Sequence, residues 1–260
     1  MSTAIDAGTA TAARRRCGAE EWQARVDLAA LYRLVALHGW DDLIFTHLSA
    51  RVPGPEHHFL INPYGMFFEE ITAASLVKVD RDGAVVEDNG YGINPAGFTI
   101  HSAIHMARPD AMFVMHLHTD LGVAVAAQAE GLLPLTQYAL TVLPVLAYHD
   151  YEGVALNLDE RERLVRDLGT STLMLLRNHG TLAVGRTAGE AWLGMFGLER
   201  ACREQVMALT AGRAGVLLAP EAAQAEVRGL VVRGFAGQAA KLAWPGLLRL
   251  LDRRSPGYDA

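Results

Sequence analysis

At 260 residues, 51% of them hydrophobic, the chain is long enough to bury a full core within one compact domain. A net charge of −6 leaves no broad basic field, which argues against nucleic acid and anionic membrane surfaces as partners and leaves small molecules or other proteins. Cys17 and Cys202 are too few and too far apart for a disulfide framework, and they fit reduced thiols in a cytoplasmic protein.

Residues 1–19 carry arginines but no apolar stretch of signal-peptide length, and they read as a disordered tail. Between Glu20 and Leu37 the residues Trp22, Val26, Ala30, Leu34 and Leu37 recur at helical spacing, with Gly39 as a stop. "LIFTHLSARV", "HFLIN" and "SLVKVDRDGAVVE" then read as strands, the last turning at Asp82-Gly83. "GFTIHSAIHMAR" returns to helix and stops before Pro109. "AMFVMHLH" reads as a strand, "TDLGVAVAAQAEG" as a helix opened by Thr119, and "DERERLVRDLG" as a helix ending at Gly169. "STLMLLR" and "TLAVG" are strands joined at Asn178-His179-Gly180, and Thr187 with Glu190 forms a capping box for a long helix to about Ala211. Beyond Pro220 the pattern is helical again. This alternation predicts a sheet covered by helices, the α/β class, with a main domain over 20–215 and a helical C-terminal segment over 216–260 packing on it or on a neighbouring subunit. Charges, Gly or Pro interrupt every run before the ~18 apolar residues that a membrane span needs.

The histidines carry the chemistry. His116 and His118 stand at alternate positions of a strand, so both imidazoles leave one face and can converge on one ion. Two ligands are not a site; a catalytic metal takes three and keeps a position open for water or substrate. His179, delivered into a turn by "LLRNHG", is the strongest third ligand. His101 and His105, i and i+4 on one helix, have a chelating spacing too, in an Ile/Ala/Met context where packing is the commoner fate.

The stretches "GWDDLIFTHLSAR", "FLINPYG", "HSAIHMARPDAMFVMHLHTD" and "LLRNHGTLAVG" resemble, in order and spacing, the class II aldolase/adducin family over roughly residues 22–213. The resemblance implies a three-layer α/β/α sandwich, a homo-oligomer (a C4 tetramer in many members) with sites at subunit interfaces, and one divalent metal ion per chain on His116, His118 and His179. Zinc comes first, with iron or manganese as alternatives. It also implies catalytic roles for His47, at the place of an aldolase Asn, and for Tyr138, near the place of a tyrosine contributed across the interface. Asn62, Gly65 and Gly97 fall on positions where the aldolases grip substrate, and His149, in a polar turn with Asp150 and Tyr151, is a further substrate candidate.

The sequence departs from the sugar-phosphate aldolases at the Ser-Ser-Glu that grips phosphate and moves a proton. Those positions are Pro95, Ala96 and Gly97, and the Thr-Pro-Thr-Gly phosphate loop reads Asn62-Pro63-Tyr64-Gly65. The pattern "AGFTIHSAIH" with "YHDYEG" is closer to the adducin-like branch, although no long basic tail follows residue 213. The expected function is a metal-dependent carbon–carbon lyase, aldolase-like or a decarboxylase, acting on a small non-phosphorylated carboxylate or 2-oxo acid, aromatic ones included. A non-haem Fe(II) oxygenase on the same fold and a non-catalytic adducin-like scaffold are the alternatives.

Overall fold

The computed structural model describes residues 13–54, 57–87, 90–153 and 159–260. A seven-stranded sheet runs through its middle: β1 (His47–Arg51), β2 (Phe59–Ile61), β3 (Val77–Val79), β4 (Phe113–Leu117), β5 (Leu146–His149), β6 (Leu173–Leu176) and β7 (Gly180–Gly185). The strand order is β3-β2-β1-β4-β7-β6-β5. Only β5 and β6 pair in parallel, and every other neighbouring pair is antiparallel.

Strand alternation sends one set of side chains to each face. Leu48, Ala50, Met115, Leu117, Leu175 and Ala183 join the larger core. That core is completed by α1 (Ala19–Leu37), α3 (Asp120–Ala126), α4 (Gln137–Val142), α6 (Ala188–Leu209) and α8 (Phe235–Arg254). Val114, Met174, Leu176, Leu182 and Val184 point the other way, against α2 (Pro95–Ala107) and α5 (Glu160–Leu168). The result is the expected three-layer arrangement. The C-terminal segment is helical, with α7 (Glu221–Val232) preceding α8, and Pro245 sits inside α8. The chain end is tied down where Ala73 and Ala74 donate backbone hydrogen bonds to Tyr258 and Ala260. No helix among the described residues is long and apolar enough to cross a membrane.

Several boundaries shift for local reasons. The strand expected from Leu43 begins at His47, because Leu43 and Thr46 hold φ of 52° and 61°, left-handed values that break extended pairing. The hairpin at Asp82-Gly83 reduces to one bridge, Val79 with Val85, beyond β3. Its turn is closed by Asp80, whose carboxylate accepts from the backbone N–H groups of Asp82 and Ala84. Residues 1–12 of the expected tail lie outside the described residues, while 13–16 form a helical turn whose Ala13 packs with Trp22, Ala73 and Ala74. Two elements were not expected: α4, and the edge strand β5 just after Pro144.

Candidate metal centre and the histidines behind it

Three elements bring the site together at the ends of β4 and β7. His116 is the fourth residue of β4, His118 follows the strand's last residue, and His179 precedes the first residue of β7. Asn178, at φ 56°, makes the left-handed turn that lifts His179 towards the other two. Gly180 permits the approach. A Cβ there would lie 2.4 Å from the Leu117 carbonyl oxygen and 3.1 Å from both the His116 and the His118 rings.

The ring centroids are 4.7 Å apart for His116 with His118 and with His179, and 4.8 Å for His118 with His179. One nitrogen of each ring lies within 4.8 Å of the others, and among the described residues this trio forms the one His/Cys/Asp/Glu group arranged to hold an ion. The tautomers fit a metal. His116 Nδ1 faces the Thr181 carbonyl oxygen at 3.0 Å, and His118 Nδ1 faces the Asp42 carboxylate at 3.1 Å. Both partners are acceptors, so each Nδ1 carries a proton and each Nε2 turns away from its partner towards the other ring. The two Nε2 atoms are 3.0 Å apart. The carboxylate–histidine pairing is the arrangement that orients a ligating imidazole. Burial, and next the neighbouring His179, holds His116 well below the ordinary imidazole range; burial, then His118 and His149, brings His179 down to about 4. Neutral rings are what a metal needs.

Behind the trio, Glu199 on α6 is buried and accepts from the Thr119 and Thr181 hydroxyls. Burial raises it to about 7 against the pull of those hydrogen bonds. A cleft of about 450 Å³ opens beside His118 on its Asp42 side, between Trp40, Phe196, Glu199 and Arg200.

The remaining expected residues divide. His47 opens β1 directly opposite His116 in the sheet, with ring centroids 5.2 Å apart, and is 4% exposed. Gly97 lies against it: a Cβ there would fall 2.5 Å from His47 Cδ2 and 2.9 Å from Nε2. Gly65, at φ 101°, has open space around its Cα. Tyr138 on α4 touches Phe196 and Arg200, two residues that line the cleft. Two substrate candidates have buried partners of their own. Asn62 turns its Oδ1 into the core, where the buried Tyr32 hydroxyl donates to it at 2.8 Å. His149 is buried among carboxylates, 2.7 Å from Asp167 and 3.5 Å from Glu160, which tie strand to helix, and it is also one of the neighbours that lower His179. His101 and His105 do not join the trio; they form hydrogen bonds behind His47. Sequence reasoning missed Asp42, although it stands in the quoted stretch "GWDD", and missed Glu199, which no local spacing marks.

A cluster of three histidines, arranged so that it could hold an ion, stands on one end of a helix-covered mixed sheet in an α/β/α domain. The profile of the Class II Aldolase and Adducin N-terminal domain matches residues 26–206, and the chain belongs to that family. A Caulobacter vibrioides protein named for the class 2 aldolases is 74% identical over 238 residues, 92% of each chain. Rat alpha-adducin is 40% identical over 88% of this chain, which spans 33% of that protein. Among solved structures, an aldolase II superfamily protein from Pseudomonas syringae superposes with a TM-score of 0.91 at 49% identity, covering 95% of this chain and 99% of its own. An L-fuculose 1-phosphate aldolase from Glaciozyma antarctica gives 0.78 at 27% identity, covering 95% and 98%.

Proposed function

We propose that the protein is a divalent-metal-dependent carbon–carbon lyase, aldolase-like or a decarboxylase, acting on a small non-phosphorylated carboxylate or 2-oxo acid. The observation that carries this reading is the convergence of His116, His118 and His179, with the Nε2 atoms of the first two 3.0 Å apart and one nitrogen of each ring within 4.8 Å of the others. A three-histidine set leaves a coordination position for substrate, the arrangement of catalytic rather than structural sites. The ion, zinc by preference, would supply a Lewis acid for the oxygen on which negative charge develops when a carbon–carbon bond opens.

This chain's own residues do the rest. Asp42 and the Thr181 carbonyl hold the two ligand rings in the ligating tautomer. His47, beside the trio and over Gly97, is the candidate to move the proton. Tyr138, at the rim of the cleft, is the candidate contribution to a neighbour's site in a homo-oligomer, for which a tetramer is the family's common form. Phosphate is disfavoured because Pro95, Ala96 and Gly97 offer no hydroxyl and no carboxyl. The likeness to a fuculose-phosphate aldolase supports the lyase class, and the 95–97 segment argues against its substrate.

Metal analysis of protein purified without added ions, followed by assays of 2-hydroxy and 2-oxo carboxylates, tests the proposal. Zinc or manganese with carboxylate cleavage supports it; iron with oxygen consumption would make the protein an oxygenase, and an empty site a scaffold. Retro-aldol cleavage of fuculose or ribulose phosphates near ordinary enzyme rates, about 1 s⁻¹, would overturn the substrate assignment.

A further inference from the structure

Three polar side chains lie buried between β1 and α2, outside the metal trio, and together with His47 they form one continuous line. His105 Nδ1 meets the Ala111 carbonyl oxygen at 2.8 Å. His105 Nε2 meets the Ser49 hydroxyl at 2.7 Å, Ser49 meets His101 Nδ1 in a short hydrogen bond, and His101 Nε2 meets His47 Nδ1 at 2.8 Å. All four residues are at most 4% exposed.

The end of this line decides its direction. A backbone carbonyl only accepts, so His105 carries its proton on Nδ1. Burial pushes His105 down to about 3, so the ring is neutral and its Nε2 accepts. Ser49 therefore donates to His105, and its oxygen is left to accept from His101 Nδ1–H. One proton joins His101 Nε2 to His47 Nδ1, and His101 has committed its own to Ser49, so His101 Nε2 accepts and His47 Nδ1 donates. With its one proton committed inward, His47 is left with a bare Nε2. That edge of the ring stands over Gly97, in the space where a side chain at position 97 would be.

We propose that His105, Ser49 and His101 are positioning residues that lock His47 in the Nδ1–H tautomer, so that its bare Nε2 is the proton acceptor of the site. The proposal rests on the lyase reading for its purpose and on hydrogen-bond direction for its geometry. In a retro-aldol step the substrate hydroxyl would give its proton to His47 Nε2 as the carbon–carbon bond opens and its electron pair becomes an enolate. The imidazolium then returns the same proton to the enolate carbon, so protons and electrons balance with no other reactant. The chain also accounts for glycine at 97, since any larger residue would push the ring off His101.

Nitrogen-15 NMR of the imidazoles, on histidine-labelled protein with and without added Zn²⁺, reads the tautomers directly. The expected result is three rings, His47, His101 and His105, in the Nδ1–H form, assigned by single substitutions. Ser49→Ala should leave His47 a mixture of tautomers while one equivalent of zinc is still bound, and Ser49→Thr, which keeps the hydroxyl, should restore it. His47 found as Nε2–H in the parent protein, or unchanged in Ser49→Ala, overturns the proposal. For a carboxylate that the parent turns over, His47→Gln should lower kcat by ~10²–10⁴-fold, and Ser49→Ala should lower kcat with KM unchanged. A kcat within twofold of the parent in His47→Gln removes the proton role. Three Nδ1–H rings in a protein that binds zinc and cleaves no carboxylate would sink the lyase reading and leave the hydrogen-bond chain standing, so the two fail separately.

Discussion

His116, His118 and His179 stand beside His47, His101 and His105, and the two trios differ in where their lone pairs go. In the first, Thr181 and Asp42 take the Nδ1 protons outward and the Nε2 atoms of His116 and His118 meet at 3.0 Å. In the second, each ring's lone pair is consumed by the next donor until only His47 Nε2 remains. Residue type alone therefore assigns neither role. The same imidazole becomes a ligand or a link in a chain according to which acceptor its Nδ1 finds, and the sheet register places those acceptors.

The comparison breaks most visibly on the ligands. His118→Ala removes one of three nitrogens and should abolish stoichiometric metal binding after dialysis against a mild chelator, read by elemental analysis. His101→Ala should leave the metal in place. The reverse pattern would mean that the helix pair, His101 with His105, is the ion site and that the trio at the strand ends is packing.

Much of this was legible in the sequence because strand alternation is short-range: His116 and His118 announce their shared face two residues apart. His179 was legible because a turn at Asn178 to Gly180 between two apolar runs aims a side chain at a sheet end. What stayed hidden was long-range. His47 meets His101 across 54 residues, and Ser49 meets His105 across 56, so no window along the chain holds both partners. The partners of Asn62 and His149 were hidden for a related reason. Each looks like a polar loop residue, and each has a partner from another element, Tyr32 of α1 and Asp167 of α5. The strand β5 was missed because it is an edge strand with three half-buried residues out of four and no clear alternation.

Glu199 sharpens the comparison from behind, since it anchors Thr181, whose carbonyl orients His116. Its carboxyl is raised from 4.5 to about 7 by burial, so between those values the folded state holds a proton that the unfolded chain has released. Its contribution favours folding below about pH 4.5 and is lost as pH rises through about 7. Glu199→Gln carries no such dependence. Relative to the parent, the variant should therefore gain roughly 3 kcal/mol in unfolding free energy between pH 4 and pH 8, measured by urea denaturation. A constant difference across that range would mean that the carboxyl titrates normally. His105 slopes the other way. Its lowered value makes its contribution present above about pH 6.5 and lost as pH falls towards about 3.

A smaller effect is expected at Asp42, which would act on the proposed metal only through His118. Asp42→Ala should weaken zinc binding by ~10–100-fold in chelator competition, the range for groups that orient a ligating histidine. An unchanged affinity would show that the ring is held by packing alone.

The smallest effect tests whether the site is sensitive to its surroundings in general or to these contacts in particular. Thr119 and Thr187 are both helix N-caps, accepting from Gly122 N–H and Glu190 N–H at 3.1 Å in each case. Losing a cap of this kind costs about 1 kcal/mol, so Thr187→Ala should lower stability by about that much and Thr119→Ala by more, since a hydrogen bond to a buried carboxyl goes with it. Only Thr119 also donates to Glu199, and it directly follows the ligand His118. Thr187 opens α6 beside the far end of β7 from His179. Zinc affinity should therefore fall in Thr119→Ala and hold in Thr187→Ala, and the shift of unfolding free energy between pH 4 and pH 8 should change in the first and not in the second. Equal loss of zinc affinity in both would mean that the centre responds to global stability, and the contrast between a ligand trio fixed by its own acceptors and a separate hydrogen-bonded trio would lose its basis.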